Sequence, residues 1–124
     1  MDDYFNPALS QSERQALYWE NHVALACSRA LLGSISPNFQ AVSFLATFDS
    51  RVEVYFALDA DDADDRAEIL EEFPFELDVL LDGRVEIISR IWIGPDWPRS
   101  DWHGRDNRLV FARRRPTESP GSEA

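Results

Sequence analysis

The 124-residue sequence holds no lysine, one cysteine, one methionine, two histidines and five glycines. Each scarcity excludes something. A lone Cys27 can form no disulfide within the chain, and its position inside a predicted apolar helix face marks it as a buried packing thiol rather than a reactive one. His22 lies in the same helix and His103 far downstream, and neither has a Cys or His neighbour at a metal-ligand spacing. His103 stands between Asp101 and Asp106, but no serine or cysteine is marked as a nucleophile beside it, so a hydrolase centred there lacks its attacking group. No glycine-rich phosphate loop is present. The run Asp59-Ala60-Asp61-Asp62-Ala63-Asp64 is not a calcium loop, because Asp64 occupies the sixth position, where glycine is needed, and Leu70 stands where the bidentate glutamate belongs. No metal, cofactor or catalytic residue is therefore expected. No apolar run approaches the ~20 residues that cross a bilayer. The start, Met1-Asp2-Asp3-Tyr4, lacks the basic region and apolar run of a signal peptide, which gives the expectation of a cytoplasmic protein. With lysine absent, all 12 basic residues are arginine, a bias that says more about genome composition than about chemistry.

What the chain has in abundance is acid, and it is concentrated. The stretch from Asp49 to Asp82 carries 13 carboxylates against two arginines, Arg51 and Arg66, which accounts for the whole net charge of −11. A field this lopsided favours encounter with a basic partner and discourages contact with nucleic acid or anionic lipid, so the expected partner is a protein. Apolar residues make up 44% of the chain and aromatic residues 12%. That composition and length give one globular domain, expected over residues 1–114 and followed by a small, polar, disordered tail at 115–124.

Ser10-x-x-Glu13 predicts a capping box, and Ala16, Leu17, Val23, Ala24, Cys27, Ala30 and Leu31 recur at helical spacing behind it. Gly33 is the predicted left-handed stop. After a turn at Ser36-Pro37-Asn38, Val42, Phe44, Ala46 and Phe48 alternate in one strand and Val52, Val54, Phe56 and Leu58 in the next. Asp49-Ser50 joins them as an antiparallel hairpin. Arg51, Glu53 and Tyr55 face the other way, as in a sheet covered on one side. Residues 59–82 permit two readings. Ile69, Leu70, Phe73, Leu77, Leu80 and Leu81 keep a helical stripe through Pro74, with acids at the favourable N-terminal end, which predicts one long helix kinked at the proline. Against it, Phe75, Leu77, Val79 and Leu81 alternate like a strand, and Asp82-Gly83 is a hairpin signal. A strand through Val85, Ile87, Ile91 and Ile93 follows and ends at Gly94-Pro95. Residues 108–113 form the last strand.

Two features bear on function. Paired acids such as Asp61 and Asp65, or Glu68 and Glu72, lie one helical turn apart and repel by a few tenths of a kcal/mol per pair. They are either an ordinary solubilising face or an electrostatic docking surface on which a basic partner relieves the repulsion. The loop 94–107 carries Trp97 and Trp102, which either fold back over an open end of the core or anchor a partner.

The run Ala30-Leu31-Leu32-Gly33-Ser34-Ile35-Ser36-Pro37-Asn38, followed by Ala41-Val42, resembles small bacterial colicin or contact-dependent-inhibition immunity proteins. The likeness continues in outline to about residue 114, where Leu109-Val110-Phe111-Ala112-Arg113-Arg114 matches a short aromatic and basic closing strand. The resemblance implies a helix ending at the Leu-Leu-Gly turn, a hairpin, a long acidic helix and two further strands. The distance from Leu58 to Val85 suits that helix. The tryptophan-bearing loop departs from the pattern, so no partner contact is carried over there, and no catalytic residue comes with the resemblance.

Together these readings predict an α+β domain in the order α-β-β-α-β-β, with a four-stranded antiparallel sheet and two helices on one face. The function expected from the resemblance and the charge is stoichiometric neutralisation of a cognate, basic, nuclease-type toxin domain. Asp61, Asp62, Asp64, Asp65, Glu68, Glu71 and Glu72 would steer association, and Trp97 and Trp102 would anchor the complex. The competing reading is a non-catalytic adaptor or small-ligand-binding domain, which would contain a closed apolar pocket with convergent polar groups.

Overall fold

In a computed structural model, which describes residues 10–47, 51–95 and 108–113, Ser10 opens the first helix in the way its spacing predicts. Its hydroxyl accepts the Glu13 N–H at 3.1 Å and its own N–H donates to Glu13 Oε1 at 2.7 Å, closing the capping box. Helix α1 (Gln11–Ala30) then runs into a tight 3-10 turn, Leu31–Gly33. Gly33 is not the left-handed stop expected of it: positive φ occurs among the described residues at Asp82, Gly83 and Gly94.

Strands β1 (Phe39–Thr47) and β2 (Arg51–Leu58) pair antiparallel, with Val42 opposite Phe56, Phe44 opposite Val54 and Ala46 opposite Val52. Their connecting residues 48–50 lie outside the described residues. One extra residue, Gln40, bulges from β1 between Phe39 and Ala41. The bulge lets Phe39 and Val42 both face the core, while Ala41 turns to the opposite face with Ala57. Buried Gln40 then fastens that end of the sheet: its amide donates to the Leu58 carbonyl at 3.1 Å and to the Gly94 carbonyl, and its own carbonyl accepts the Arg113 N–H at 2.7 Å.

Within residues 59–82 the chain is helical over 63–80, as the long-helix reading has it. The rod is built from α2 (Ala63–Ala67), a π turn (Glu68–Glu72) and α3 (Phe73–Leu80). In an unbroken α-helix the ring of Pro74 would clash with the carbonyl four residues earlier. Here the turn before it is widened, the Phe73 N–H reaching back to the Glu68 carbonyl, and Pro74 falls in the first turn of α3. The Asp82-Gly83 pair ends the helix and makes no hairpin. Asp82, at φ 62°, donates to the Val79 carbonyl at 3.1 Å, and Gly83, at φ 65°, to the Asp78 carbonyl at 2.8 Å, the two bonds of a Schellman stop.

The sheet departs from expectation in one respect. Its order is β3-β2-β1-β4, and β3 (Glu86–Ile93) runs parallel to β2, from Arg51 opposite Glu86 to Leu58 opposite Ile93. β4 (Arg108–Ala112) is antiparallel to β1. The all-antiparallel sheet is thus corrected to a mixed one, and helix length supplies the reason. The eight residues of β2 span ~26 Å at ~3.3 Å per residue, and the 18 residues of 63–80 span about the same at ~1.5 Å per residue. The helix carries the chain back to the level where β2 began, so the next strand starts beside Arg51 and must run with β2.

Both helical segments cover one face of this sheet. Val23, Cys27 and Leu31 from α1 and its turn, Ile69, Phe73 and Leu77 from the rod, and Phe44, Val54, Phe56 and Leu58 from the sheet form one buried cluster. The ring of Phe56 meets Phe73 edge-on at 5.2 Å and Phe39 at 6.1 Å. Cys27 lies wholly inside this cluster, and burial pushes its thiol pKa up to about 12.

Candidate functional site

The buried residues of the rod come every fourth position: Asp65, Ile69, Phe73, Leu77 and Leu81. An α-helix advances 100° per residue, so a strict four-residue repeat drifts by ~40° at each step and would soon leave the sheet. The π turn takes more residues to close and rotates the stripe back. With one stripe held against the core, the outward side carries two ridges of the same period. Asp64, Glu68, Glu72 and Glu76 make the first; Ala67, Glu71, Phe75 and Val79 make the second.

The acids expected to act together divide into three groups. Asp65 is turned inward, 9% exposed, and its carboxylate accepts from the Ser36 hydroxyl at 3.1 Å and the Asn38 amide at 2.9 Å, tying the start of the rod to the Ser36-Pro37-Asn38 turn. Asp61 and Asp62 are exposed but hold the helix end. Asp61 pairs with Arg66, whose pKa it raises, and Asp62 caps the Asp65 N–H at 3.0 Å. Asp64, Glu68, Glu71 and Glu72 stand on the outward ridges. Glu68 accepts the Ser34 hydroxyl at 2.7 Å, and no arginine pairs with any of the four among the described residues. Trp97, Trp102 and His103 lie outside the described residues.

Sequence reading missed three members of this surface. Glu76 continues the acidic ridge, and Phe75 and Val79 are exposed on the neighbouring one by 66% and 58%. Their signal was present as the strand-like alternation of Phe75, Leu77, Val79 and Leu81. In the helix the same four residues separate into an inner pair, Leu77 and Leu81, and an outer pair, Phe75 and Val79.

Elsewhere several acids are neutralised locally. Arg113 grips Asp59 with two bonds, 2.6 and 3.0 Å, and donates to the Pro37 carbonyl at 2.9 Å. Glu53 takes the Tyr55 hydroxyl at 2.8 Å and Arg90 at 3.1 Å, contacts that lower its pKa, the tyrosine hydrogen bond most strongly. A groove of about 400 Å³ between α1 and β4, lined by Asn21, Leu25, Ser28, Arg108 and Leu109, is open rather than enclosed. Its one charged lining group, Arg108, already donates to Glu20 and Asn21. Among the described residues no group of three or more His, Cys, Asp and Glu side chains is arranged to hold a metal ion, and no helix is long and apolar enough to cross a membrane.

Among the described residues, the largest group of acids without an arginine partner thus lies on the outward side of one helix, on a domain whose topology is helix, hairpin, helix, strand, strand. The model of the MafI2 immunity protein family matches residues 20–114, a span from the second half of α1 through β4. The chain belongs to the MafI2 immunity protein family. Membership bears out the resemblance to immunity proteins and puts toxin immunity forward as the class of function, in a toxin system other than contact-dependent inhibition. No curated protein sequence matches the chain. Among solved structures, a chain from the complex of tri-AMPylated Shewanella oneidensis HEPN toxin with MNT antitoxin aligns over 73% of both chains, at 11% identity and a TM-score of 0.40. A likeness that loose says nothing about the MafI2 fold or its partner.

Proposed function

We propose that this protein neutralises a cognate toxin domain in the cytoplasm by forming a stoichiometric complex with it, without catalysis of its own. The toxin domain is basic, of the nuclease kind, and the outward face of residues 63–80 enters the region where it would hold nucleic-acid phosphates. The observation that carries this reading is that Asp64, Glu71, Glu72 and Glu76 are exposed with no arginine opposite them among the described residues, in a chain of an immunity family. Repulsion along such a ridge costs a few tenths of a kcal/mol per i,i+4 pair, and a cationic partner turns that cost into attraction and steers encounter. Asp61, Asp62 and Glu68 add to the same field, Asp65 acts by holding the helix in place, and Trp97 and Trp102 supply further apolar anchorage.

The test is a growth assay in which the C-terminal domain encoded by the upstream neighbouring gene is expressed with and without this protein. Rescue, with a one-to-one complex recovered from the cells, supports the proposal. Absence of toxicity, or of a complex, returns the adaptor or ligand-binding reading.

A further inference from the structure

Phe75 and Val79 are the least explained residues of the rod. The core takes Ile69, Phe73, Leu77 and Leu81 and leaves Phe75 and Val79 in solvent. A phenylalanine with two-thirds of its surface in water contributes little to folding and lowers solubility, and one apolar neighbour on the same ridge widens the patch. Leu70, half exposed, lies within the π turn on a further ridge. The acidic ridge of Asp64, Glu68, Glu72 and Glu76 runs alongside. Beyond Glu68, held by the Ser34 hydroxyl, stand two more exposed apolar side chains, Leu32 and Ile35. The surface therefore has an apolar centre with carboxylates beside it, the arrangement of an interface in which aromatic anchors enter a partner's pocket and charges surround them.

Resting on the immunity reading above, we infer that Phe75 and Val79 are the central anchors of the toxin complex, and that they enter an apolar recess on the toxin rimmed by arginine or lysine. Charge fixes the partner's chemistry. With carboxylates on the adjoining ridge, an acidic surface would be repelled and a neutral one would desolvate the carboxylates without pairing them, whereas cationic side chains can pair with Glu72 and Glu76 and also stack on the phenyl face. The two contributions separate kinetically: acids act on encounter, and buried apolar contacts act on residence time. The π turn belongs to this device, since without it the core stripe and the Phe75 ridge could not both keep a four-residue repeat.

The experiment measures association and dissociation of the purified full chain with the C-terminal toxin domain encoded upstream. The variants are Phe75→Ala with Val79→Ala, Glu72→Gln with Glu76→Gln, and Leu25→Ala, an exposed leucine of the α1–β4 groove. The expected result is dissociation faster by about 30-fold or more for the apolar pair with association unchanged, slower association for the glutamine pair, and no change for Leu25→Ala, all with the wild-type melting temperature. Dissociation unchanged in Phe75→Ala/Val79→Ala, or accelerated only by Leu25→Ala, overturns the inference while leaving immunity intact. A wild-type chain that forms no complex overturns both.

Discussion

Asp65 and Glu72 look interchangeable as carboxylates on one acidic helix, yet their surroundings give them opposite roles. Asp65 is buried and receives two side-chain hydrogen bonds from the turn after α1; Glu72 is exposed and receives none from an arginine among the described residues. Charge-assisted bonds to a buried carboxylate contribute about 1.5–3 kcal/mol each, and their loss strands the Ser36 and Asn38 donors. Asp65→Ala should therefore lower unfolding free energy by about 3 kcal/mol or more in a denaturant titration, whereas Glu72→Gln should leave it within about 0.5 kcal/mol. Glu53 provides the pH dependence at this scale. The Tyr55 hydroxyl, and then Arg90, hold its folded pKa below the ordinary 4.5. A carboxylate with a depressed folded pKa contributes stability that is complete above the unfolded value and disappears as pH falls through the folded one. Between pH 7 and 5 the Glu53→Gln variant should accordingly differ from wild type by a constant amount, and the difference should shrink as pH is taken below 4.5, read from melting temperatures. The sequence puts Tyr55 on the face of Glu53 but not the rest: Asp65 and Glu72 sit in the same acidic run, and Arg90 meets Glu53 only through the pairing of β2 with β3.

At the scale of elements, local signals were strong where they were self-contained. Ser10-x-x-Glu13 caps α1, the alternations around Val42 and Val52 make β1 and β2, and the Leu58-to-Val85 interval holds a long helix. Signals that fit two elements were ambiguous for a physical reason. Phe75, Leu77, Val79 and Leu81 alternate because a helix with one apolar stripe inside and a second outside shows a period of two over a short window, and Asp-Gly supplies left-handed backbone to a hairpin and to a Schellman stop alike. That stop offers a test of its own. Asp82 occupies φ 62° with a side chain, a conformation that costs most residues about 1 kcal/mol and glycine little. Asp82→Gly should raise stability by about 0.5 kcal/mol in a denaturant titration after the added freedom of the unfolded chain is offset, and an unchanged or lowered value would count against a left-handed Asp82. Gly33, expected to play this part for α1, does not, because the 3-10 turn Leu31–Gly33 closes that helix with right-handed residues.

Taken whole, the molecule separates its charge from its core. The core face of the sheet and the inner stripes of both helices are mainly apolar, Glu53 of β2, Glu86 of β3 and Asp59 are matched by Arg90, Arg51 and Arg113, and among the described residues the largest group of acids without an arginine faces outward from the rod. A complex formed through that face should lose association rate steeply as ionic strength rises, because exposed charges are screened beyond ~10 Å at 0.1 M salt. Wild-type association with the upstream-encoded toxin domain is expected to fall about tenfold between 50 and 300 mM salt, with a shallower slope for Glu71→Gln/Glu72→Gln/Glu76→Gln; equal slopes in stopped-flow measurements would remove the acidic face from the interface. By itself, the sequence determined the kinds and order of the elements, the concentration of charge in one segment and the immunity-family resemblance, since capping, alternation, net charge and a motif are properties of neighbouring residues. Tertiary structure decided that β3 runs parallel to β2, that Asp65 serves the fold while Glu72 faces solvent, and that Phe75 and Val79 stand outside the core. Those outcomes depend on how far a helix returns the chain and which of its stripes meets the sheet, and both are set by packing between segments distant in sequence.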